Sequence, residues 1–464
     1  MLSLIARREF TEFCRDGRLF WTGGIILLLL LTALAVNWQH QRTADAERLA
    51  AQTLDYDDWV NQEARHPHDA AHQGMHVFKP QSALSMLDPG IVPYVGSTLW
   101  LQAHRQSEVK FRPAQDATGL QRFGNLSPAW VIQMLGPLLV IILGFNAFAG
   151  EREQGTLRQT LSLGISPYQL LWGKALALAI GLGLLLLPTL LFAMGMIVFT
   201  MSGNAMVDAL WRTLWLGLGY SVYLGIAIFV VLAVSAKTAT SRMALAILLG
   251  VWIVTTMIAP RAISDASRIW HPNPTRYEFT ASLDNDLGNE TRKAWMENFG
   301  SDQRWGSEVG IDQWGKALEV DDKAGYKALD HQFHKLWDTF DSQQRVQEWA
   351  GFVVPLLAIR SFSMGVAGTD FANHRDFSVA AENHRRIMQD KVSHDLVEHA
   401  DGHGDHHFDY KSTREFWATF PKFTYALPDR KFALAHNTLS LAILVIVLLA
   451  AMVLAHRAVM PRKA

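Results

Sequence analysis

Six charge-free apolar windows, each long enough to cross a membrane as a helix, constrain this chain more than any other feature of its sequence. A bilayer's hydrocarbon core is about 30 Å thick and takes roughly 20 apolar residues of helix, because every backbone N–H and C=O inside it must be satisfied within the segment. The windows run 19–36, 129–149, 175–200, 213–234, 243–259 and 438–455, and none contains Asp, Glu, Lys or Arg. The expected fold is an all-α polytopic membrane protein, with these windows as six transmembrane helices.

Polar segments of very unequal size separate the windows. Residues 1–18 interleave Arg7, Arg8, Arg15 and Arg18 with Leu4, Ile5, Phe10 and Phe13, which predicts an interfacial amphipathic helix. The apolar run after Arg18 is too long for a signal-peptide core and lacks a small-residue cleavage pattern, so it reads as a retained span. Basic residues occur in 1–18, 150–174, 235–242 and the tail 456–464, while the short loop 201–211 has none. By the positive-inside rule both termini and the 150–174 segment face the cytoplasm. The large blocks 37–127 and 260–435 then lie outside it, as two mainly helical extracytoplasmic domains. Long domains translocate whatever their own charge. Two shorter apolar stretches, 349–359 and 361–368, are separated by Arg360, and Pro355 interrupts the first, so they read as core or membrane-facing helix of the second block. The Trp residues at 295, 305, 314, 337 and 349 fit core or inter-helix packing.

Composition excludes several activities. With 42 Lys and Arg against 43 Asp and Glu the chain is no polycation, and no nucleic acid partner is expected. Cys14 is the single cysteine, so no intrachain disulfide can form. Binding a nucleotide triphosphate takes a glycine-rich cradle ending in Lys and Ser or Thr. The nearest run, Trp172-Gly173-Lys174-Ala175, lacks the preceding glycine and the hydroxyl. An ion-coupled carrier would place ionisable residues inside its spans, and these windows have none. The reading is a non-catalytic membrane subunit whose energy arrives from another chain.

The polar island 149–174 carries Glu151, Arg152, Glu153, Gly155, Thr156, Leu157 and Pro167 between two apolar windows. Gly155 breaks the backbone, the stretch 156–163 suits a short amphipathic helix, and Ser166-Pro167 restarts the chain. The pattern Glu-Arg-Glu-x-Gly-Thr-Leu before a Pro-initiated apolar helix resembles the coupling segment of ABC-2 type exporter permeases. In the block 260–435, Gly368-Thr369-Asp370 and the stretch 374–385 resemble a bacterial subgroup whose large periplasmic domain has no assigned function. The resemblance implies a permease in the bacterial inner membrane, in contact with lipid, whose seven named island residues couple it to a separate ABC ATPase subunit. Two copies of that ATPase would hold ATP and Mg, and a second permease subunit, identical or related, would complete the unit. Two rival readings stand beside it. One is a mechanotransmission subunit that drives a periplasmic partner without transport, and the other a membrane-anchored metal-binding receptor.

Histidine gives the remaining signal, since 16 of 18 fall in the two large blocks. The densest run, 394–407, includes His394, Glu398, His399, His403, His406 and His407. His394 and Glu398 share a helix face, as do Asp395 and His399, and glycines let the later histidines fold back. The run is either a solvated linker or an exchangeable Zn or Cu site. A smaller group, His66, His68, His72 and His76, lies in the first block.

Overall fold

The structure, a computed structural model, describes residues 1–107, 126–303 and 309–460. Trp305 and the end of the basic tail, 461–464, lie outside the described residues. The chain is an all-α polytopic membrane protein, with six helices long and apolar enough to span a bilayer. Strand is confined, among the described residues, to an antiparallel pair, β1 (Met75–Phe78) and β2 (Thr98–Leu101), in which Met75 faces Leu101.

Helix α1 (Leu2–Arg15) is amphipathic and turns Ile5, Ala6, Glu9 and Phe13 inward. The chain then makes a wide turn at Leu19–Gly23 and runs into α2 (Gly24–Val60), a candidate span of 42 residues with its lead-in. No Gly or Pro interrupts positions 25–60, so nothing stops the helix where the bilayer ends. At ~1.5 Å per residue it is about 60 Å long, and its far half stands clear of the hydrocarbon. Short α3 (Pro67–Gln73) follows.

The second span, α4 (Pro128–Gly144), is started by the Ser127 hydroxyl, which accepts from Trp130 N–H, with Pro128 in the first turn. Two short helices, α5 (Ala149–Glu153) and α6 (Thr156–Ser162), form the polar island. The third span, α7 (Pro167–Thr200), opens with a reciprocal capping box between Ser166 and Gln169. Spans four and five are α8 (Gly203–Lys237) and α9 (Ser241–Ile253), the latter continued through a wide turn into α10 (Ala259–Trp270). The second large block holds α11 (Arg276–Phe299), α12 (Trp314–Trp349), α13 (Pro355–Ala367) and α14 (Phe371–His399). Span six is α15 (Arg430–Val459), capped by the Asp429 carboxylate.

The apolar stretches around Arg360 become α13, a buried wedge that packs on α8 and α15. Small residues make the approach possible. A methyl on Gly219 would sit 2.4 Å from the Phe362 ring, and one on Gly365 would sit 1.9 Å from Asn437 Nδ2. A polar string crosses the same contact: Gln133 Nε2 donates to Tyr220 Oη at 3.1 Å, Tyr220 meets Ser363 Oγ at 2.7 Å, and Ser363 donates to Asp88.

The two large polar blocks share one core. Trp59, Met75, Val77, Leu99 and Leu101 from the first pack with Leu318, Phe377, Met388, Leu396, Trp417 and Phe420 from the second. A backbone bridge between Arg65 and Ser412 crosses that contact, as does buried Arg385, which pairs with Glu382 on its own helix and donates to the Gln102 carbonyl at 3.4 Å. Trp295 is fully buried and donates Nε1 to Asp321 at 2.6 Å, and Trp337 is buried near Phe333, whereas Trp349 is exposed.

Candidate functional site

The polar island is held by three consecutive charges, each tied to a different span. Glu151 accepts from Lys174 Nζ on α7 at 3.0 Å. Arg152 donates to the carbonyls of Ala236, at 2.7 Å, and Thr238, at the C-terminal end of α8. Those carbonyls have no partner further along their own helix, and a guanidinium there also suits the negative end of the helix dipole. Glu153 accepts from Ser241 Oγ at 2.6 Å, at the start of α9. From α8, Ser235 Oγ in turn accepts the backbone N–H groups of Phe148 and Ala149 at 2.9 and 3.2 Å, so the first turn of α5 is capped by another helix.

Lys174 is the pivot. Only 2% of its surface is exposed, and besides Glu151 it donates to Glu9 of α1 at 2.6 Å, with its ammonium 5.5 Å from the Phe148 ring. Burial pushes the Glu9 carboxyl above its ordinary range, against the opposing pull of Lys174. A single ammonium thus gathers the N-terminal helix, the island and the third span. Arg18 adds a parallel tie, donating to the carbonyl of Ile142 at 3.0 Å and to Asn146 Oδ1 at 3.2 Å.

The rest of the island points outward. Gly155 has φ of 74° and begins α6 in the left-handed conformation that glycine adopts without strain. Thr156 Oγ1 donates to the Glu151 carbonyl at 3.2 Å, and Leu157 and Leu161, four apart, pack onto the span core. Arg158, Gln159 and Ser162 occupy the opposite, exposed face. Leu163, at the tip before Gly164, is 81% exposed, and Pro167 opens α7.

The sequence points to Glu151, Arg152 and Glu153 but not to the direction in which they act, which is inward. It also hides Glu9, Lys174, Ser235 and Ser241. A lone lysine two turns inside a span helix is the signal that could have found the first two, because a charge there requires a partner; the apolar window at 175–200 begins one residue too late to include it.

The histidine-rich run is dispersed. His394 pairs with Glu398 at 3.1 Å, His399 stacks on Tyr410, His403 faces the carbonyls of Ala400 and Asp401, and His406 pairs with Asp409 at 2.8 Å. His407 is fully buried beside Asp401, His66 and Trp314, and burial lowers its basicity. No three of the six proposed ligands come together, among the described residues.

Six candidate spans and one short polar segment tied to three of them define a polytopic membrane protein. The family model described as ABC-2 family transporter protein matches residues 3–299, well over half of the chain, and the chain belongs to that family. A second model, described as a domain of unknown function (DUF3526), matches residues 284–426, which take in α12, α13 and α14. No curated protein matches the chain. Membership makes this a multi-pass membrane protein of an ABC transporter family, whose members are generally non-catalytic membrane subunits.

Proposed function

We propose that this chain is the membrane subunit of an ATP-driven exporter of a bacterial inner membrane, and that α5 and α6 carry force from a separate ATPase into the spans. The observation that supports this most is the anchoring of Glu151, Arg152 and Glu153 to spans three, four and five. A segment that only filled a loop would need no such fixing. One that transmits a push must move the helices beneath it. Docking falls to the outward face around Leu163, and ATP and Mg are held by two copies of the ATPase.

A second permease subunit, identical or related, fits the same reading. The fifth span has only 11% of its most apolar window buried, the least of the six, so most of its surface is left for lipid or a partner helix. The short-loop basic residues favour an orientation with both termini and the island in the cytoplasm, which leaves the shared core to the periplasm. The unbroken run of α2 from the bilayer to Trp59 favours mechanotransmission as a second reading, since a stiff helix would carry span motion to a periplasmic partner.

The test is purification of the full chain from its native membrane. An ATPase subunit should co-purify, hydrolysis should reside in that subunit, and Arg152→Ala should lower hydrolysis in the complex without releasing the ATPase. Hydrolysis by the isolated chain would contradict the reading.

A further inference from the structure

A group that the sequence pattern only half reveals sits at the edge of the shared core of the polar blocks, with His68 and His104 half-buried and His72 exposed. His68 and His72 are four apart on α3, and their Nε2 atoms lie 3.0 Å from each other. His104 arrives from the turn after β2, with its ring 5.2 Å from that of His68 and 5.3 Å from that of His72. One ring nitrogen from each lies within 4.8 Å of the other two. Nitrogens about 2.0–2.1 Å from a tetrahedral zinc would stand roughly 3.3 Å apart, so the pair on α3 is already close to that spacing.

Two further features belong to the same place. His104 has φ of 59°, the only positive value at a non-glycine among the described residues, so its backbone is held in an unfavourable conformation that brings the ring to the group. Asp322 Oδ1 on α12 lies 3.2 Å from His104 Nδ1, while Oδ2 accepts from Ser393 at 3.0 Å. A carboxylate on Nδ1 fixes the tautomer and leaves Nε2 to bind, which is how metal-ligating histidines are usually oriented.

We propose that His68, His72 and His104 bind a divalent ion of the zinc class, with Asp322 orienting His104 and water in the fourth position. Three imidazoles, with no thiolate and no further carboxylate grouped with them among the described residues, suit Zn²⁺ or Cu²⁺ over Mg²⁺ or Ca²⁺. The ion would fasten the first polar block, through α3 and the β2 turn, to α12 of the second, because Asp322 belongs to the other block. This proposal is independent of the exporter reading.

The experiment uses the full chain, purified in detergent and stripped of metal, titrated calorimetrically with zinc chloride. A single high-affinity equivalent is expected, with a rise in the unfolding temperature and an X-ray absorption spectrum showing three imidazoles. His68→Ala with His72→Ala should abolish all three effects. Asp322→Asn, which keeps the side chain's shape, should weaken binding by about 10–100-fold. Replacing His399, His403 and His406 by Ala should leave binding intact. Undiminished binding by the His68 and His72 variant, or loss of binding in the His399, His403 and His406 variant, would overturn the assignment.

Discussion

Replacing Lys174 with Met separates the two roles that a buried lysine can have in this fold. The substitution keeps the length and apolar character of the stem and removes the ammonium. Glu9 and Glu151, whose side chains are 7% and 14% exposed, then face each other without their shared cation. Breaking a buried ion pair from one side costs about 3–5 kcal/mol, because the abandoned charge stays desolvated. Part of that cost is relieved by protonation of Glu9, which burial already favours. At roughly 1.4 kcal/mol per decade, the equilibrium for release of α1 from α7 should shift by about two to nearly four powers of ten. Glu9→Gln is the companion: it leaves Lys174 paired with Glu151, relieves a surplus of buried negative charge, and should cost far less. The assay is protease access to the N-terminal helix in the detergent-solubilised chain, with thermal unfolding measured in parallel. Equal protection of α1 in Lys174→Met and in the unaltered chain would refute the reasoning.

Three other outcomes follow from the same geometry. Arg152→Ala leaves the carbonyls of Ala236 and Thr238 without their donor and should destabilise by about 1–2 kcal/mol, read as a small loss of thermal stability with a larger loss of ATP-linked activity in the complex. Gly365→Ala drives a methyl into Asn437 and should cost about 1–3 kcal/mol by pushing α15 from α13, seen as a lower unfolding temperature. Burial raises the Glu9 carboxyl above its ordinary 4.5 in the folded chain, so its contribution is fully present below that value and is lost as pH rises through the folded pKa; the stability of the chain relative to Glu9→Gln should fall across that window and stay level outside it.

Spans were legible because hydrophobic length is a one-dimensional property, and each window maps onto a helix without reference to any neighbour. The helices overrun the windows for a physical reason: α2 continues to Val60 and α7 begins at Pro167 because capping and the absence of breakers set helix ends, while hydropathy marks only the portion in lipid. Contacts between distant segments were not legible. Nothing in the periodicity around Trp59 says that it meets Trp417, and nothing near Glu9 names Lys174 as its partner. Histidine density misdirected attention in the same way. The run 394–407 is rich in ligand types, but its helix and turns spread them over different faces, whereas three histidines from two separate stretches converge.

The central claim, that the outward face of the island docks an ATPase while its charges grip the spans, is tested most directly by cross-linking at Leu163. In a Cys14→Ser background, Leu163→Cys carries the one thiol of the chain, placed on its most exposed point near α6. A short thiol-directed photo-cross-linker attached there, in sealed inside-out vesicles containing the native complex, should join this chain to the ATPase subunit and to nothing in the periplasm. Labelling of that cysteine only from the periplasmic side, or a cross-linked product without the ATPase, would contradict the account.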